Sequence, residues 1–184
     1  MNPSYTGKGD EGKTDIIGHE GLSKADVRIE AIGAVDEASA ALGFARALTN
    51  QSHLEMILVH LQKDLYLLMA QLAASDERFN HAQVIGQMQI DWLEGKIASF
   101  EEELLLPDGF VFSGDTIAGG AFALARTIIR RAERRVVGLA EQWEQLNPFI
   151  LKYLNRLSSL CFLLELAENQ SSNKGRVALA DEQS

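Results

Sequence analysis

Residues 117–137 read Ile-Ala-Gly-Gly-Ala-Phe-Ala-Leu-Ala-Arg-Thr-Ile-Ile-Arg-Arg-Ala-Glu-Arg-Arg-Val-Val. This stretch decides the fold class. At about 100° per residue, Ala118, Ala121, Phe122, Ala125, Ile128, Ile129, Ala132 and Val136 share one arc of a helix. Arg126, Arg130, Glu133 and Arg134 share the opposite stripe. One face therefore belongs to a helical core, and the other concentrates positive charge in a chain whose net charge is −9. Guanidinium groups grip phosphate oxygens bidentately, so the stripe suits a polyphosphate. Taken alone, it suits more readily a solvated face laced by i,i+4 ion pairs.

Working outward, Ser113-Gly114-Asp115-Thr116 supplies N-cap residues for this helix, which runs from Ile117 to about Ala140. Pro107-Asp108-Gly109 marks a turn before it, and Phe110-Val111-Phe112 reads as a short extended piece. Asn147-Pro148 opens a further helix, about Phe149 to Glu168, that is apolar almost all round; it sits centrally or at a subunit contact. Upstream, spacings of three and four place helices at about Asp26–Leu48, Leu54–Ala74 and Gln83–Leu104. Thr49-Asn50-Gln51-Ser52 separates the first two, and Ser75-Asp76 ends the second. No strand alternation is visible. The expected fold is all-α: a five-helix up-and-down bundle with a Gly-rich N-terminal loop. Residues 1–170 form one domain, residues 1–24 of it an ordered loop or flexible arm. Residues 171–184 are expected to be a disordered tail.

The 184 residues suffice for one sizeable core, and 46% hydrophobic with 23% charged residues is ordinary for a globular protein. The acidic balance argues against nucleic acid as a partner, so any anion site must be built locally. The single cysteine, Cys161, rules out an internal disulfide and suits a reducing compartment. Its apolar neighbours predict a buried, inert thiol. No stretch approaches the ~20 apolar residues of a membrane span, and Met1-Asn2-Pro3-Ser4-Tyr5 lacks a signal-peptide pattern. A cytoplasmic location is expected. His19, His53, His60 and His81 show no metal-binding spacing.

Gly7-Lys8-Gly9-Asp10-Glu11-Gly12-Lys13-Thr14 literally satisfies G-x-x-x-x-G-K-T. A Walker loop needs a buried strand before it and a helix after it, whose N-terminus supplies amides and dipole. Neither is legible here, so a P-loop kinase or NTPase is the weakest reading. A glycine-rich segment still curls readily around an anion with its backbone amides inward, and an unstructured polar arm is the equal alternative.

These segments together resemble the PduO-type ATP:cob(I)alamin adenosyltransferases. Thr6 to Thr14 is similar to the family's T-x-x-G-D-x-G-x-T, and Lys24 stands at its downstream lysine. Val35-Asp36-Glu37 with Leu42-Gly43-Phe44-Ala45-Arg46 resembles V-D-E…L-G-x-A-R. Ala125-Arg126-Thr127 and Arg130 to Val137 match A-R-T-x-x-R-R-A-E-R-R-V-V. Tyr153 to Ser158 matches Y-L-N-R-L-S. The resemblance runs from about Tyr5 to Ala167.

It implies a homotrimer with active sites between subunits. These transfer the 5′-deoxyadenosyl group of ATP to cob(I)alamin and release triphosphate. Thr6, Gly7, Lys8, Gly9, Asp10, Gly12, Thr14 and Lys24 would then wrap the ATP phosphates, joined by Arg131. Arg130 and Arg134 would brace them from the helix, Glu133 would hold Mg²⁺ or orient a neighbour, and Asn155 would bond the nucleotide. Mg²⁺ is expected mainly on phosphate oxygens. Asp36 would pair with Arg126 across the subunit contact. Phe110, sixteen residues before Arg126, would close the lower face of the corrin, exclude water and favour an easily reduced four-coordinate Co(II). A reductase and a cobalamin-dependent acceptor enzyme are the implied partners.

The chain departs from the family at four places. Ala123 replaces a frequent histidine, Ser159 an aspartate and Leu166 an arginine; Ser113-Gly114-Asp115 stands where P-G-G or P-G-D/E is usual. Loss of both members of an ion pair costs far less than loss of one. The Ser159 and Leu166 changes fit an active branch, and also a non-catalytic ATP- or corrinoid-binding carrier on the same bundle.

Overall fold

The computed structural model describes residues 7–74 and 84–172. Thr6, the Ser75-Asp76 stop, His81, the Gln83 start of the third helix and the tail beyond Ser172 lie outside the described residues. Five helices form the body: α1 (Val27–Leu48), α2 (Ser52–Ala73), α3 (Gln87–Glu103), α4 (Ile117–Ala140) and α5 (Pro148–Ser171). α4 lies between α1 and α5, α1 also packs on α2, and α3 closes against α5.

Local chemistry sets the helix starts. The Asp26 carboxylate accepts from the Arg28 amide at 2.8 Å, the Thr116 hydroxyl accepts from the Gly119 amide at 2.8 Å, and Asn147 accepts from the Phe149 amide at 3.0 Å. Each satisfies an amide that the first turn leaves orphaned. Pro148 opens α5, where its missing N–H costs nothing. α3 begins after Gly86, whose amide donates to Gln89 Oε1 at 2.9 Å.

All eight residues assigned to the apolar arc of α4 are buried. α2 contributes Leu54, Leu58, Leu61, Leu65, Leu68 and Leu72, all fully buried; each is worth about 1.5–3 kcal/mol relative to exposure. α5 is buried on nearly every side, as its sequence predicts. Cys161 lies inside this core, where burial pushes its thiol up to about 12 and leaves it inert.

Polar ties fix the helices against one another. Tyr153 Oη on α5 donates to Asp64 Oδ2 on α2 at 3.0 Å, and the Thr49 hydroxyl donates to Glu168 at 2.7 Å. Arg28 donates to the carbonyls of Leu72 and Ala74, both at 2.6 Å, with its guanidinium over Trp143. Where α4 meets α5, Gly119 packs so tightly that a Cβ there would sit 2.1 Å from Asn169 Oδ1.

The N-terminal segment departs from expectation. It carries a small antiparallel hairpin, β1 (Lys13–Ile16) and β2 (His19–Ser23), paired Lys13↔Ser23, Thr14↔Leu22 and Ile16↔His19 with a bulge between Thr14 and Ile16. Gly18, at φ 86°, takes the left-handed position of its turn. The hairpin is largely exposed and buries no apolar face, so its sequence carries none of the alternation that betrays a half-buried strand. Val111 forms an isolated β-bridge in the segment read as extended.

Candidate active site

Helix α4 sorts its charges by direction. Arg131 Nη2 donates to Glu37 on α1, and Arg135 Nε meets Glu30 Oε1 on α1 at 3.1 Å. Arg130 and Arg134, one turn apart on the neighbouring stripe, make no hydrogen bond or ion pair among the described residues and stand exposed. Two arginines are thus neutralised against the bundle, and two present uncompensated donors to solvent. Glu133, between them, accepts from Asn155 Nδ2 on α5 at 3.2 Å. That bond joins the two helices at the foot of the cationic stripe. Arg131, expected to touch the nucleotide, is held on α1 within the chain.

Arg126 and Arg130 also line a cavity of about 400 Å³ between α3, α4 and α5, together with Ile97, Ser158, Ser159 and Phe162. Arg126 is half-buried, and its Nε is sequestered from solvent without a hydrogen-bond partner. Asp36, its expected partner from another copy, stands exposed on α1. Ser159 and Phe162 reach the cavity, whereas Leu166, on the same stripe of α5, is fully buried. An apolar side chain at 166 therefore fits its surroundings without a counter-charge.

Phe110 is 72% exposed and stacks edge-to-face on Phe112 at 6.3 Å. Leu105, Leu106, Ile117 and Leu124 are exposed as well. Of these, Leu106 also lines the cavity.

The glycine-rich segment is an ordered turn. The Asp10 amide donates to the Gly7 carbonyl at 3.1 Å and the Gly12 amide to the Gly9 carbonyl at 3.2 Å, with Gly7 and Gly12 at φ 73° and 74°. Lys24 clamps it twice. Its amide donates to the Gly12 carbonyl, and its Nζ donates to the Gly9 carbonyl, both at 2.8 Å. A Cβ at Gly9 would lie 2.8 Å from that ammonium, so glycine is needed there for close approach. Thr14 lies in β1, beyond the turn. Strand follows the glycines where a Walker loop would have a helix, so the P-loop match is a coincidence of letters.

Glu165 went unnoticed in the sequence. It is 1% exposed, and neither carboxylate oxygen meets a donor at ordinary hydrogen-bond geometry. Burial pushes its carboxyl up; Ser113 and the facing Arg126 pull it back, and Asp115 pushes with burial. A lone acid within the apolar run Leu160–Leu166 was the available signal.

The family model for cobalamin adenosyltransferase matches residues 4–168, nearly the whole chain. The chain belongs to the cobalamin adenosyltransferase family. The corrinoid adenosyltransferase of Bacillus subtilis is 33% identical over 177 residues, covering 94% of this chain and 90% of its own length. The corrinoid adenosyltransferase PduO of Salmonella typhimurium is 30% identical over 174 residues; the chain spans about half of that relative, 52% of its length. Two solved structures come from the PduO-type ATP:corrinoid adenosyltransferase of Lactobacillus reuteri. A phenylalanine-to-alanine variant complexed with cobalamin and ATP is 34% identical with a TM-score of 0.87, covering 97% of this chain and 99% of the other. An arginine-to-lysine variant complexed with ATP is 32% identical with a TM-score of 0.81, covering 95% and 98%. These adenosyltransferases share the bundle across almost its whole length.

Among the described residues, no group of three or more His, Cys, Asp or Glu side chains stands ready to hold a metal by itself. None of the described helices is long and apolar enough to cross a membrane.

Proposed function

We propose that this chain transfers the 5′-deoxyadenosyl group of ATP to cob(I)alamin, yielding adenosylcobalamin and triphosphate. The observation that carries the reading is the division of charge on α4. Among the described residues Arg130 and Arg134 make no ion pair, and Arg130 lines a cavity with Leu106, Phe162 and Leu163 on its wall, while Arg131 and Arg135 pair with Glu37 and Glu30 on α1. A polyphosphate needs the first feature and a large flat corrinoid the second.

The reduced cobalt of the substrate attacks C5′ of ATP, the Co–C bond forms, and the C5′–O bond breaks with its electron pair passing to triphosphate. No protein nucleophile is required, and the chain supplies alignment and charge. Arg130 and Arg134 stabilise the negative charge gathering on the leaving group, the interaction from which most of the rate derives. The clamped turn at Gly7–Gly12 offers backbone amides, and Lys8 and Lys24 add positive charge. Lys24 keeps two ammonium protons for phosphate while bonded to Gly9. Asn155 holds Glu133 in place for a ribose hydroxyl or a phosphate-borne Mg²⁺. Magnesium would be carried chiefly by phosphate oxygens, with Glu133 as the candidate protein ligand. Phe110 and Phe162 would flank the corrin and keep water from the cobalt.

The active unit is a homotrimer. The backbone bonds Asp10–Gly7, Gly12–Gly9 and Lys24–Gly12 and the Lys24 Nζ–Gly9 bond shape the glycine turn locally. Among the described residues Asp36 makes no ion pair, and Arg126 makes none beyond its longer-range attraction to the buried Glu165. A neighbouring copy that brings its turn to this α4 would pair both and complete the site.

The test is to incubate the protein with ATP, Mg²⁺ and chemically reduced cobalamin and to follow the corrinoid spectrum. Adenosylcobalamin with stoichiometric triphosphate supports the proposal. Binding of both substrates without conversion would replace it with the carrier reading that Ser159 and Leu166 raise.

A further inference from the structure

Helix α3 stands between two cavities. Ile97 and Glu101, with Leu106 and Pro107 just past the helix end, line the cavity of about 400 Å³ shared with α4 and α5. Trp92, Lys96, Ser99 and Glu103 line a second cavity, of about 330 Å³, which faces His53 and His60 of α2. At 100° per residue these four fall within roughly 60° of one another, on the side away from Ile97 and Glu101. The helix therefore has a void on each flank.

Its two halves are held unequally. Toward the N-terminus, Asn147 Nδ2 at the cap of α5 donates to the Ile85 carbonyl at 2.8 Å, and Arg156 Nε on α5 donates to Glu94 Oε1 at 3.1 Å. The Trp92 indole stacks on His60 of α2 with ring centroids 3.9 Å apart. His60 Nε2 lies 3.5 Å from Asp64 Oδ2, the carboxylate to which Tyr153 donates, so the stack is braced from the core. Beyond Glu94, among the described residues, no hydrogen bond or ion pair joins α3 to another element. The buried Phe100 is the apolar anchor of that half. The next polar tie lies past the helix end, where Gln170 Nε2 donates to the Leu105 carbonyl at 2.8 Å and Gln170 Oε1 accepts from the Leu105 amide at 3.2 Å.

The sequence weakens the same half at both its ends. Gly95 begins it. This glycine is exposed, and a Cβ there would meet nothing within 4 Å, so packing does not demand it. A glycine inside a helix leaves the backbone looser than an alanine would. Glu101, Glu102 and Glu103 end it, in a last turn without a basic residue. The helix dipole favours cations at that end, and three acids oppose it.

We propose that the segment from Gly95 to Pro107 is a gate: it swings about Gly95 toward α2, into the second cavity, and so widens the α3–α4–α5 cavity for a corrinoid to enter. This deepens the adenosyl-transfer reading and rests on it for what enters. A cavity of about 400 Å³ suits a drug-sized molecule, and a corrinoid is larger. The braced stack at Trp92 keeps the N-terminal half in place while the C-terminal half moves, and Gln170 is the catch that holds the gate shut. A unit with so few ties opens at a far lower free energy than the whole fold. Closing returns Leu106 and Pro107 to the cavity wall and brings with them Phe110, three residues further on.

The experiment follows hydrogen–deuterium exchange along α3 of the intact oligomer, and stopped-flow uptake of cob(II)alamin with ATP present. It compares the parent with Gly95→Ala, which stiffens the hinge without a clash, and Gln170→Ala, which releases the catch. In the parent, amides of residues 96–106 are expected to exchange faster than those of 90–94. Gly95→Ala is expected to slow exchange of 96–106 and cob(II)alamin uptake about four- to fivefold, the helix propensity difference. Gln170→Ala is expected to speed both about tenfold, as loss of two neutral hydrogen bonds allows. ATP affinity is expected to stay the same in both variants. If no boundary in exchange appears near Gly95, or if the two variants fail to shift uptake in opposite directions, the inference is overturned. A parent that takes up no cob(II)alamin refutes the adenosyl-transfer reading instead, and the exchange boundary with its response to the two variants then decides whether this half of α3 opens on its own.

Discussion

Arg130→Ala and Arg135→Ala remove the same side chain one turn and a stripe apart on α4, and the structure predicts opposite consequences. Arg135 meets Glu30 at 3.1 Å with both side chains about half exposed (55% and 51%). An exposed pair of this kind contributes about 0–1 kcal/mol, so Arg135→Ala costs the fold a little and the chemistry nothing. Arg130 has no partner among the described residues and faces away from the apolar arc. Its loss moves folding stability by no more than about 0.5 kcal/mol. A preorganised donor aimed at developing negative charge is worth about 2.7–4 kcal/mol, so kcat/KM should fall about a hundred- to a thousandfold. The assay is steady-state adenosylation of pre-reduced cobalamin with ATP varied, alongside urea unfolding of each variant. Equal loss of activity in the two variants, or a fully active Arg130→Ala protein, would refute the assignment of the free stripe to the triphosphate.

Phe110→Ala should slow turnover that starts from Co(II) more than turnover that starts from chemically pre-reduced Co(I), because the exposed aromatic is assigned to keeping ligands off the lower corrin face; equal slowing in stopped-flow spectra removes that role. Gly119→Ala should destabilise the bundle by about 1–3 kcal/mol, the usual cost of overpacking, since the new methyl would lie 2.1 Å from Asn169 Oδ1 and 2.8 Å from Thr116 Oγ1. Its thermal midpoint reports the loss, and an unchanged midpoint would show that α4 and α5 separate freely at their contact.

The bundle was legible because helices advertise buried faces. The apolar arc of α4 survived intact from spacing to burial, and the capping roles of Thr116 and Asn147 followed from their chemistry. The hairpin was not legible, because a strand pair outside the core has no face to hide and so no alternation to read. Periodicity grouped Arg130 with Arg134 and separated them from Arg131 and Arg135. It could not say that the second pair would find Glu37 and Glu30, since that depends on which helix packs alongside. Lys24 was assigned to phosphate by resemblance, and the structure adds its clamp on the Gly9 carbonyl, a contact fifteen residues apart that no local pattern announces. Glu165 stayed hidden for the opposite reason: one acid in an apolar run looks like a surface position, until the helix proves to be buried all round.

The central claim is that this molecule grips the phosphate tail of ATP with Arg130, Arg134 and the clamped glycine turn. Isothermal titration of ATP into the purified oligomer, with and without Mg²⁺, tests it most directly. The account predicts a saturable heat approaching one nucleotide per α4 stripe, weakened by added salt and lost in an Arg130→Ala, Arg134→Ala double variant. A flat titration, or one that the double variant reproduces unchanged, would contradict it.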